Sequence, residues 1–515
     1  MSSAPPTAKS LPAVADQGKR PRALRAETLA EGILLVLGFT VLQRLVGFFR
    51  GILFCRWMSP EELGYWDLSF NFLMLAAPLV VLGIPGTFGR YVEHYRQAGQ
   101  LTSFLRRTTL ASLALTVVCC LTIFLGRSGI SWLLFGDTTH ETLALVLALG
   151  LLAVIGFNFL ISVFAGLRQM RIVSRMQFAH SLLFAAVGLV LLSTWRPTAA
   201  SVVVAFSVAC LITSCFMLPF VLRRARGSVG IEECPLSQRS LWSKLLPFAA
   251  WVWATDVLAN VFSMADRYMI IHFGGFDSEV AAGLVGNYHS SRVVPLLMVG
   301  VCGLLSDVAL PHLSHDWEAR RRQRVSDRIN LMLKSLSIIL TAGGITILAA
   351  SPLIFDWMLG GKYHGGLSIL PWATIGCIWY SLCMIAQNYL WCAERARLVS
   401  LMYAVGLALN IGLNLILLPI LGLSGAVLAT ALAMAVSLAL LFLLNRRGGM
   451  DVQQGTYLLA VLPISLCGGP WIAGLAMIAV VVVAIRTSWL FSAEEKSELS
   501  QTIRRYLRKF RKVGS

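Results

Sequence analysis

One stretch of the sequence decides the fold: "LALVLALGLLAVIGFNFLISVFAGLRQMRIVSRMQ", residues 143–177. Residues 143–166 contain no charged side chain, and a helix of that length spans about 36 Å, more than the ~30 Å hydrocarbon core of a bilayer. Three arginines, Arg168, Arg171 and Arg175, follow at once, and a second apolar run begins directly after them. Apolar runs joined by short basic loops are typical of helical proteins that cross a membrane repeatedly.

The composition of the whole chain agrees with this stretch. Of 515 residues, 57% are hydrophobic and 13% are charged, and the mean hydropathy is +0.74. Soluble globular proteins carry about 25% charged residues. A membrane β-barrel would show segments of about ten residues with alternating polarity, which this sequence lacks. We therefore predict an all-α, polytopic membrane protein.

Hydropathy predicts about fourteen transmembrane helices. They are residues 29–49, 64–86, 108–125, 143–166, 176–194, 199–222, 243–265, 283–310, 331–356, 367–392, 398–418, 423–444, 456–469 and 470–487. The last two are either separate short helices or one long element broken at Cys467–Pro470.

Basic residues support the count of fourteen. With the N-terminus in the cytoplasm, 35 of the 43 Lys and Arg residues fall on the cytoplasmic side and six on the outer side, while Arg44 and Arg292 lie within spans. Cytoplasmic loops carry the excess of Lys and Arg in membrane proteins. A count of thirteen would place the basic C-terminal segment outside. We therefore predict that both termini are cytoplasmic.

An internal repeat divides the chain into two halves. "RQMRIVSRMQ" (168–177) resembles "ERARLVSLMY" (394–403) at an offset of 226 residues, and "ISWLLFG" (130–136) has a counterpart in "IFDWMLGG" (354–361). The offset equals six helices, an even number, which makes the halves parallel repeats about an axis along the membrane normal. Two lobes that face each other across a cavity are the architecture of an alternating-access transporter.

The repeat defines the predicted domain organisation. It comprises a disordered basic cytoplasmic tail (1–28), an N-terminal lobe with helices 1–6 (29–222), a basic cytoplasmic linker (223–242), a C-terminal lobe with helices 7–12 (243–445), two further helices (446–491) and a basic amphipathic helix (492–515).

The C-terminal segment has a helix-start signal. Ser492 and Glu495 have the spacing of a capping box, and the apolar residues that follow share one helical face opposite Lys and Arg. We predict a helix that lies on the anionic inner leaflet. Nucleic-acid binding, the competing interpretation of a net charge of +18, does not suit basic residues confined to membrane-flanking loops.

Several arginines lie in or beside the predicted spans. "QRLVGFFRGILFCRW" (43–57) places Arg44, Arg50 and Arg56 at six-residue intervals. An arginine at the centre of a span costs about 2.5–3.5 kcal/mol on insertion scales, so it needs a wet cavity or a partner. Arg44 and Arg292 are the deepest and are either cavity cations or ion-pair partners. Arg50 is intermediate, and Arg56 is predicted to anchor the helix at the interface.

Arg90 and the buried acids leave further alternatives open. Arg90 on the inner side either binds an anion or only follows the charge bias. Asp256 is the candidate for coupling to Na⁺ or protons, whereas the pair Asp266–Arg267 is predicted to be structural and to lie at a helix end. The eleven cysteines show no metal-ligand spacing, so no metal or cofactor is predicted apart from a coupling ion.

Three segments resemble one family. "MADRYMIIHFGGFDSEVAAGLVGNYHSSRVVPLL" (264–297), "LNIGLNLILLPILGLSGAVLATALA" (409–433) and "ELGYWDLSFNFLMLAAPLVVLGIPGTFGRYVEHY" (62–95) resemble bacterial polysaccharide flippases of the Wzx type. These belong to the MOP superfamily, which also contains MATE exporters and lipid II flippases. The resemblance covers roughly residues 29–445.

The resemblance implies a function and a site. Segments 43–57 and 291–314 are similar to the first and eighth helices of lipid II flippases, in which the matching arginines line a cationic cavity for a pyrophosphate-linked lipid. Arg44, Arg50 and Arg292 take those positions here, and Arg90 follows the polysaccharide flippases. The implied protein is a monomeric flippase of the bacterial cytoplasmic membrane that moves a polyprenyl-pyrophosphate-linked oligosaccharide for polysaccharide biosynthesis.

Three other functions remain in competition. A MATE-like, cation-coupled multidrug exporter would want an acidic cavity, whereas the buried charges include two arginines. A lipid II flippase would share the cationic cavity. A membrane polymerase or ligase would need a large outer loop with catalytic groups, and the longest outer segments, about 126–142 and 266–282, contain no such constellation. We therefore expect a transporter and not an enzyme.

Overall fold

The computed structural model describes residues 29–227 and 237–497, and every regular element in these two ranges is helical. The predictions for the N-terminal tail, for linker residues 228–236 and for the C-terminal helix beyond Ser497 lie outside the described residues. The predicted all-α membrane fold is confirmed.

Eighteen α-helices, α1 to α18, follow one another along the described chain. They are α1 (Leu29–Trp57), α2 (Pro60–Val80), α3 (Phe88–Gln97), α4 (Leu101–Leu125), α5 (Arg127–Phe135), α6 (Glu141–Gly166), α7 (Met170–Thr194), α8 (Ala199–Gly227), α9 (Gln238–Phe273), α10 (Ser278–Arg292), α11 (Pro295–Glu318), α12 (Arg322–Ala349), α13 (His364–Ala386), α14 (Asn388–Cys392), α15 (Ala396–Leu421), α16 (Leu423–Arg447), α17 (Gln454–Val461) and α18 (Gly469–Arg486). Short 3-10 turns (Pro85–Thr87 and Leu462–Gly468) and a π-turn (Leu353–Met358) complete the chain.

Twelve segments of the described chain are long and apolar enough to cross a membrane. The 36-residue helix α9 is not among them, although it packs against several helices that are. The segment 454–486 counts as one of the twelve but folds back on itself. If α9 and the two arms of that hairpin are each counted, the described chain has fourteen segments that correspond to the predicted spans.

The hairpin resolves the ambiguity of the last two spans. The 3-10 turn Leu462–Gly468 packs back on α18, and a side chain at Gly455 would come within 2.3 Å of the Leu490 carbonyl oxygen. The start of α17 therefore lies beside the residues that follow α18. The chain reverses at Gly469, which has a φ of +84°. The predicted spans 456–469 and 470–487 are therefore separate, and the chain returns to the side from which the first of them starts.

Two predicted spans are broken helices, which corrects the predicted ranges 64–86 and 283–310. The first is α2 followed by α3, interrupted where Leu82 and Gly83 both have positive φ angles. The second is α10 followed by α11, interrupted just before Pro295. Pro295 has no N–H to donate to a carbonyl of α10, and it starts α11 without needing an N–H partner.

The turns at one end of the bundle share one geometry. Each puts one residue in the left-handed region and closes with an N–H that donates to the carbonyl five residues earlier, which is the Schellman arrangement. The left-handed residues are Gly99, Arg168, Arg320, Glu394 and Gly449, and the closing bonds are Gln100→Tyr95, Gln169→Phe164, Arg321→Asp316, Arg395→Leu390 and Met450→Asn445, all at 2.9 Å. Arg168 and Glu394 are 226 residues apart, the offset of the sequence repeat.

We name α1–α8 the first lobe and α9–α16 the second lobe. Within the first, α6 packs on α8 and α1 on α7; within the second, α16 packs on α13 and α15. The lobes meet chiefly where α2 crosses α10 and where α9 passes along α2 and the 3-10 turn Pro85–Thr87. The predicted residue boundaries of the domains stay predictions, although α9 begins at Gln238, inside the predicted linker.

Two glycines allow the lobes to touch through their backbones. A Cβ atom at Gly64 of α2 would lie 1.9 Å from the carbonyl oxygen of Ala282, and one at Gly286 of α10 would lie 1.9 Å from that of Pro60. Both contacts are backbone atoms that cannot rotate away. Small residues let membrane helices approach this closely and gain packing energy where the hydrophobic effect gives none.

The start of the C-terminal helix is fastened to the second lobe. The Ser492 N–H donates to Glu495 and the Glu495 N–H donates to Ser492 Oγ at 3.2 Å, which confirms the capping box. Glu495 also binds Lys334 Nζ at 2.8 Å, and Lys334 is only 2% exposed. Lys334 lies within α12, and its charge is compensated by a carboxylate 161 residues away.

We expect Gly64→Ala and Gly286→Ala each to destabilise the closed contact between α2 and α10. Overpacking a tight contact costs about 1–3 kcal/mol, which should lower the melting temperature of the detergent-purified protein. Gly412→Ala is the matched control, because a Cβ atom at Gly412 of α15 would have no neighbour within 4 Å. Equal melting temperatures for all three variants would contradict a backbone contact between the lobes.

Candidate functional site

The centre of the molecule holds an ion pair between the lobes. Asp67 of α2 accepts a hydrogen bond from Arg267 Nε of α9 and lies 2.7 Å from Nδ1 of His289 on α10. Asp67 and Arg267 are 3% and 5% exposed. Arg267 also donates to the Ser263 carbonyl. In a medium that hydrates charges poorly, each of these two groups requires the other.

Tyr288 connects this ion pair to a second buried carboxylate. The guanidinium groups of Arg267 and Arg292 each lie 5.2 Å from the Tyr288 ring, and the Tyr288 hydroxyl donates to Asp266 Oδ2 at 2.8 Å. The prediction that Asp266 and Arg267 lie at a helix end is wrong. Helix α9 continues to Phe273, two turns further, so both side chains lie within the protein.

Asp266 is held by neutral donors from three helices. Besides Tyr288, it accepts hydrogen bonds from Asn410 Nδ2 at 2.8 Å, Asn414 Nδ2 at 3.2 Å and Thr430 Oγ1 at 2.5 Å. It is 2% exposed and makes no salt bridge with the described residues. The Oδ1 atoms of Asn410 and Asn414 are buried and have no hydrogen-bond partner among the described residues. Rotation of either amide would turn an oxygen toward Asp266.

A cavity of about 490 Å³ lies between the lobes; we call it the cationic cavity. Arg44, Arg50, His180 and His289 line it together with apolar and aromatic side chains, and no carboxylate does. Arg44 and Arg50 make no salt bridge or hydrogen bond with the described residues, whereas Arg267 nearby has both. The family resemblance implied that Arg44 and Arg50 line a cavity, and both residues line this one.

Gly47 explains how two arginines six residues apart on α1 reach the same space. Helical side chains lean toward the N-terminus of their helix, so Arg50 extends back over Gly47, where a Cβ atom would lie 3.8 Å from Arg50 Nη2. The Phe184 ring supports it, with 4.1 Å from guanidinium carbon to ring centre. Arg44 reaches across to α11, where a Cβ atom at Gly300 would lie 3.4 Å from its Nε.

Arg292 lines a separate cavity of about 270 Å³ in the second lobe; we call it the aromatic cavity. Its polar and aromatic walls are Asp266, Tyr288, Trp372, Cys377, Tyr380, Tyr403 and Thr430. Arg292 donates to the Tyr288 hydroxyl at 3.4 Å and makes no salt bridge with the described residues. Leu296 lines both cavities. The structure thus places Arg292 one turn of helix from the cationic cavity instead of within it.

Three further predicted residues lie apart from the cavities. Arg56 is exposed in the last turn of α1, as expected of an interface anchor. Arg90 is exposed on α3, with its guanidinium 5.7 Å from the Tyr91 ring. Asp256 is exposed on α9 and lines neither cavity. The binding roles of Arg44, Arg50, Arg90 and Arg292 and the coupling role of Asp256 stay predictions.

Sequence reasoning missed Asp67 and undervalued His289. One signal was available: Asp67 is an acid in the apolar run "GYWDLSFNF" (64–72), and an ionisable residue in a span is a functional candidate by default. Its partner was not visible, because Arg267 lies 200 residues away and was placed outside the membrane.

The arrangement of two helical lobes around a cavity is the fold of solved proteins of the MOP superfamily. The fold matches the lipid II flippase MurJ in an inward closed conformation, with a TM-score of 0.65 at 14% identity over 87% of this chain and 97% of that one. It also matches an inward-facing multidrug resistance MATE transporter, with a TM-score of 0.61 at 13% identity over 81% and 97%.

The sequence then gives the family. Residues 29–317 match the polysaccharide biosynthesis protein family, and the chain belongs to it. The resemblance to the polysaccharide flippases is thereby confirmed. Among curated proteins, the uncharacterized membrane protein YabM of Bacillus subtilis (strain 168) is 25% identical over 441 residues, which cover 82% of this chain and 79% of YabM.

We expect the Asp67–Arg267 pair to behave as a coupled unit. Asp67→Asn or Arg267→Gln alone leaves an uncompensated buried charge and should lower the free energy of unfolding by about 3–5 kcal/mol. The double variant should lose less than the sum of the two single losses. Chemical unfolding in detergent measures this cycle, and Asp356→Asn, at an exposed position, is the control. Strict additivity would contradict the pairing.

Proposed function

We propose that this protein is a flippase that moves a polyprenyl-pyrophosphate-linked oligosaccharide across the bacterial cytoplasmic membrane by alternating access. Membership of the polysaccharide biosynthesis family and the MOP fold support a transporter, not an enzyme. In this proposal the protein works as a monomer, both termini are cytoplasmic, and the basic C-terminal helix contacts the anionic inner leaflet.

One observation carries the proposal: Arg44 and Arg50 face one cavity that has no carboxylate in its wall. A cavity with unpaired cations attracts an anion, and guanidinium groups match the geometry of phosphate oxygens and stay ionised. The pyrophosphate of a lipid-linked sugar needs such counter-charges, because its own charge has to pass the apolar core. A drug exporter for cations would need the opposite sign of charge here.

The aromatic cavity extends this binding surface. Arg292 offers a third guanidinium, and Trp372, Tyr380 and Tyr403 offer flat rings with polar atoms. Binding pockets commonly combine apolar and aromatic walls with a few polar groups that set orientation. We infer that the pyrophosphate is held between Arg44, Arg50 and Arg292 and that the first sugar enters the aromatic cavity.

The contact between α2 and α10 supports an inward-facing starting state. Two hydrogen bonds between the lobes add to this contact. Ser278 Oγ donates to Asp137 at 2.7 Å, and the Tyr363 hydroxyl donates to the Cys55 carbonyl at 2.8 Å. We propose that transport requires the lobes to separate on this side, which also breaks the Asp67–Arg267 pair.

Thr139 and Ser278 donate to Asp137 and hold its pKa below the ordinary value despite its partial burial, so this contact persists to acidic pH.

We expect Arg44→Ala, Arg50→Ala and Arg292→Ala to reduce flipping of a fluorescent polyprenyl-pyrophosphate oligosaccharide in proteoliposomes. A hydrogen bond to a charged group contributes about 1.5–3 kcal/mol, so each loss should lower the rate about 10- to 100-fold. Arg56→Ala is the matched control, since Arg56 lies on the same helix and lines neither cavity.

The proposal fails if Arg44→Ala and Arg292→Ala both keep the normal rate at normal protein levels. Transport of lipid II in preference to the oligosaccharide would support a lipid II flippase. Drug resistance on overexpression, with no flipping of either lipid, would support a MATE-like exporter.

We further propose that an ion or proton couples at Asp266. Buried carboxylates in membrane-spanning helices are costly and commonly mark ion or proton pathways, and Asp266 makes no salt bridge with the described residues. Amide rotation at Asn410 and Asn414 would add two oxygen ligands to those of Asp266 and Thr430, which suits a small monovalent cation. Tyr288 then links this position to Arg267 and thus to the contact between the lobes.

We expect Asp266→Asn to uncouple transport from an imposed Na⁺ or proton gradient while slow equilibration of the lipid continues. Flipping in proteoliposomes with and without each gradient measures this dependence. Asp256→Asn is the comparison variant, because Asp256 lies on the same helix. Loss of the gradient effect in Asp256→Asn alone would restore Asp256 as the coupling residue.

A further inference from the structure

We propose that a groove on the bilayer side of the first lobe binds one anionic glycerophospholipid, with a hydrocarbon chain in the groove and the phosphate at Arg106. The groove has a volume of about 530 Å³ and lies between α4 and α8, with α6 as its floor. The proposal does not depend on the transported cargo.

The groove is separate from the cationic cavity. Helix α6 turns one face toward each: Ile155, Gly156 and Phe159 line the groove, whereas Phe157 and Asn158 line the cavity. A molecule in the groove therefore lies behind α6 and not on the route of the cargo.

The body of the groove has the shape and polarity of a hydrocarbon site. Leu110, Leu113 and Leu152 are exposed along it and face the bilayer. Gly156 keeps the floor open, because a Cβ atom at this position would have no neighbour within 4 Å. A chain that lies here contacts protein on three sides, which bulk lipid does not achieve on a convex helix surface.

Two hydroxyl groups in the groove have no partner. Ser112 Oγ and Ser214 Oγ are buried and make no hydrogen bond within the part of the chain that the structure describes, and Ser112 is only 3% exposed. A serine within a helix ordinarily bonds to the carbonyl four residues earlier, as Thr116 does with Ser112. The hydroxyls require an acceptor that the groove itself does not supply.

Arg106 determines which kind of lipid head group the groove binds. It lies at the end of the groove that basic residues assign to the cytoplasm, is exposed, and makes no ion pair or hydrogen bond with the described residues. Arginine near the anionic inner leaflet attracts acidic head groups. Ser112 lies about 9 Å further along α4. Because the arginine side chain extends toward the surface, this order places the serines at the ester groups below the phosphate.

The serines favour a glycerophospholipid over the polyprenyl carrier. Ester carbonyls of a glycerophospholipid are acceptors at the depth of Ser112, whereas a polyprenyl chain offers only hydrocarbon there. Phosphate and hydrocarbon alone would fit both lipids, so the unpartnered hydroxyls decide between them.

Native mass spectrometry of the full-length protein, with equal amounts of phosphatidylglycerol and phosphatidylcholine added in mild detergent, tests the proposal. We expect the wild type to retain one phosphatidylglycerol at least fivefold above phosphatidylcholine. Gly156→Phe should lose this lipid because the ring fills the floor. Gly474→Phe is the matched control, since Gly474 of α18 is equally unobstructed but lies outside the groove.

Two variants that keep the groove open test the polar contacts. Arg106→Gln should abolish the preference for phosphatidylglycerol, whereas Arg175→Gln, at an exposed arginine of α7, should keep it. Ser112→Val should lower retention of phosphatidylglycerol but leave the retention of added polyprenyl phosphate unchanged. Equal retention in Gly156→Phe and Gly474→Phe, or an unchanged preference in Arg106→Gln, would overturn the proposal. Stronger retention of polyprenyl phosphate by the wild type would assign the groove to the carrier lipid.

Discussion

The salt bridge between Asp67 and Arg267 is the constraint on which the rest of the structure depends. A charged group within a bilayer is poorly hydrated and needs a partner of opposite charge, so each of these groups keeps the other in position. The pair joins the two lobes, and Tyr288 extends it to Asp266 and the amides of the second lobe. The ion pair and these hydrogen bonds, in addition to side-chain packing, thereby fix four helices relative to one another.

The arginines without a salt bridge differ in role from the paired Arg267. Arg267 forms an ion pair, whereas Arg44 and Arg50 line a cavity whose lining residues include no carboxylate. Arg292 shares the aromatic cavity with Asp266 but forms no salt bridge with it among the described residues. The same side chain thus serves two purposes in one protein, and its partners decide which. A binding surface for an anion has to be left incomplete in the empty state, because a resident carboxylate would compete with the cargo for the same donors.

The sequence predicts well what depends on neighbouring residues. Hydropathy and basic residues locate the spans, including the hairpin after Gln454, and the spacing of Ser492 and Glu495 predicts a helix start that the structure contains. It fails where a charge is compensated from far away. Arg267 is predicted at a helix end, and the burial of Lys334 is not foreseen, because their carboxylate partners are 200 and 161 residues distant. Depth alone left the roles of Arg44 and Arg50 open, and the space over Gly47 that Arg50 occupies depends on packing that the sequence does not show.

The turns that share the Schellman geometry show a compromise between conformation and charge. A left-handed residue other than glycine costs about 1–2 kcal/mol, and glycine takes that position at Gly99 and Gly449. At Arg168 and Arg320 the chain uses arginine instead. Positive charge in these loops directs how the helices insert during synthesis, a contribution that glycine cannot make. The folded protein therefore retains backbone strain at positions whose charge is needed before it has folded.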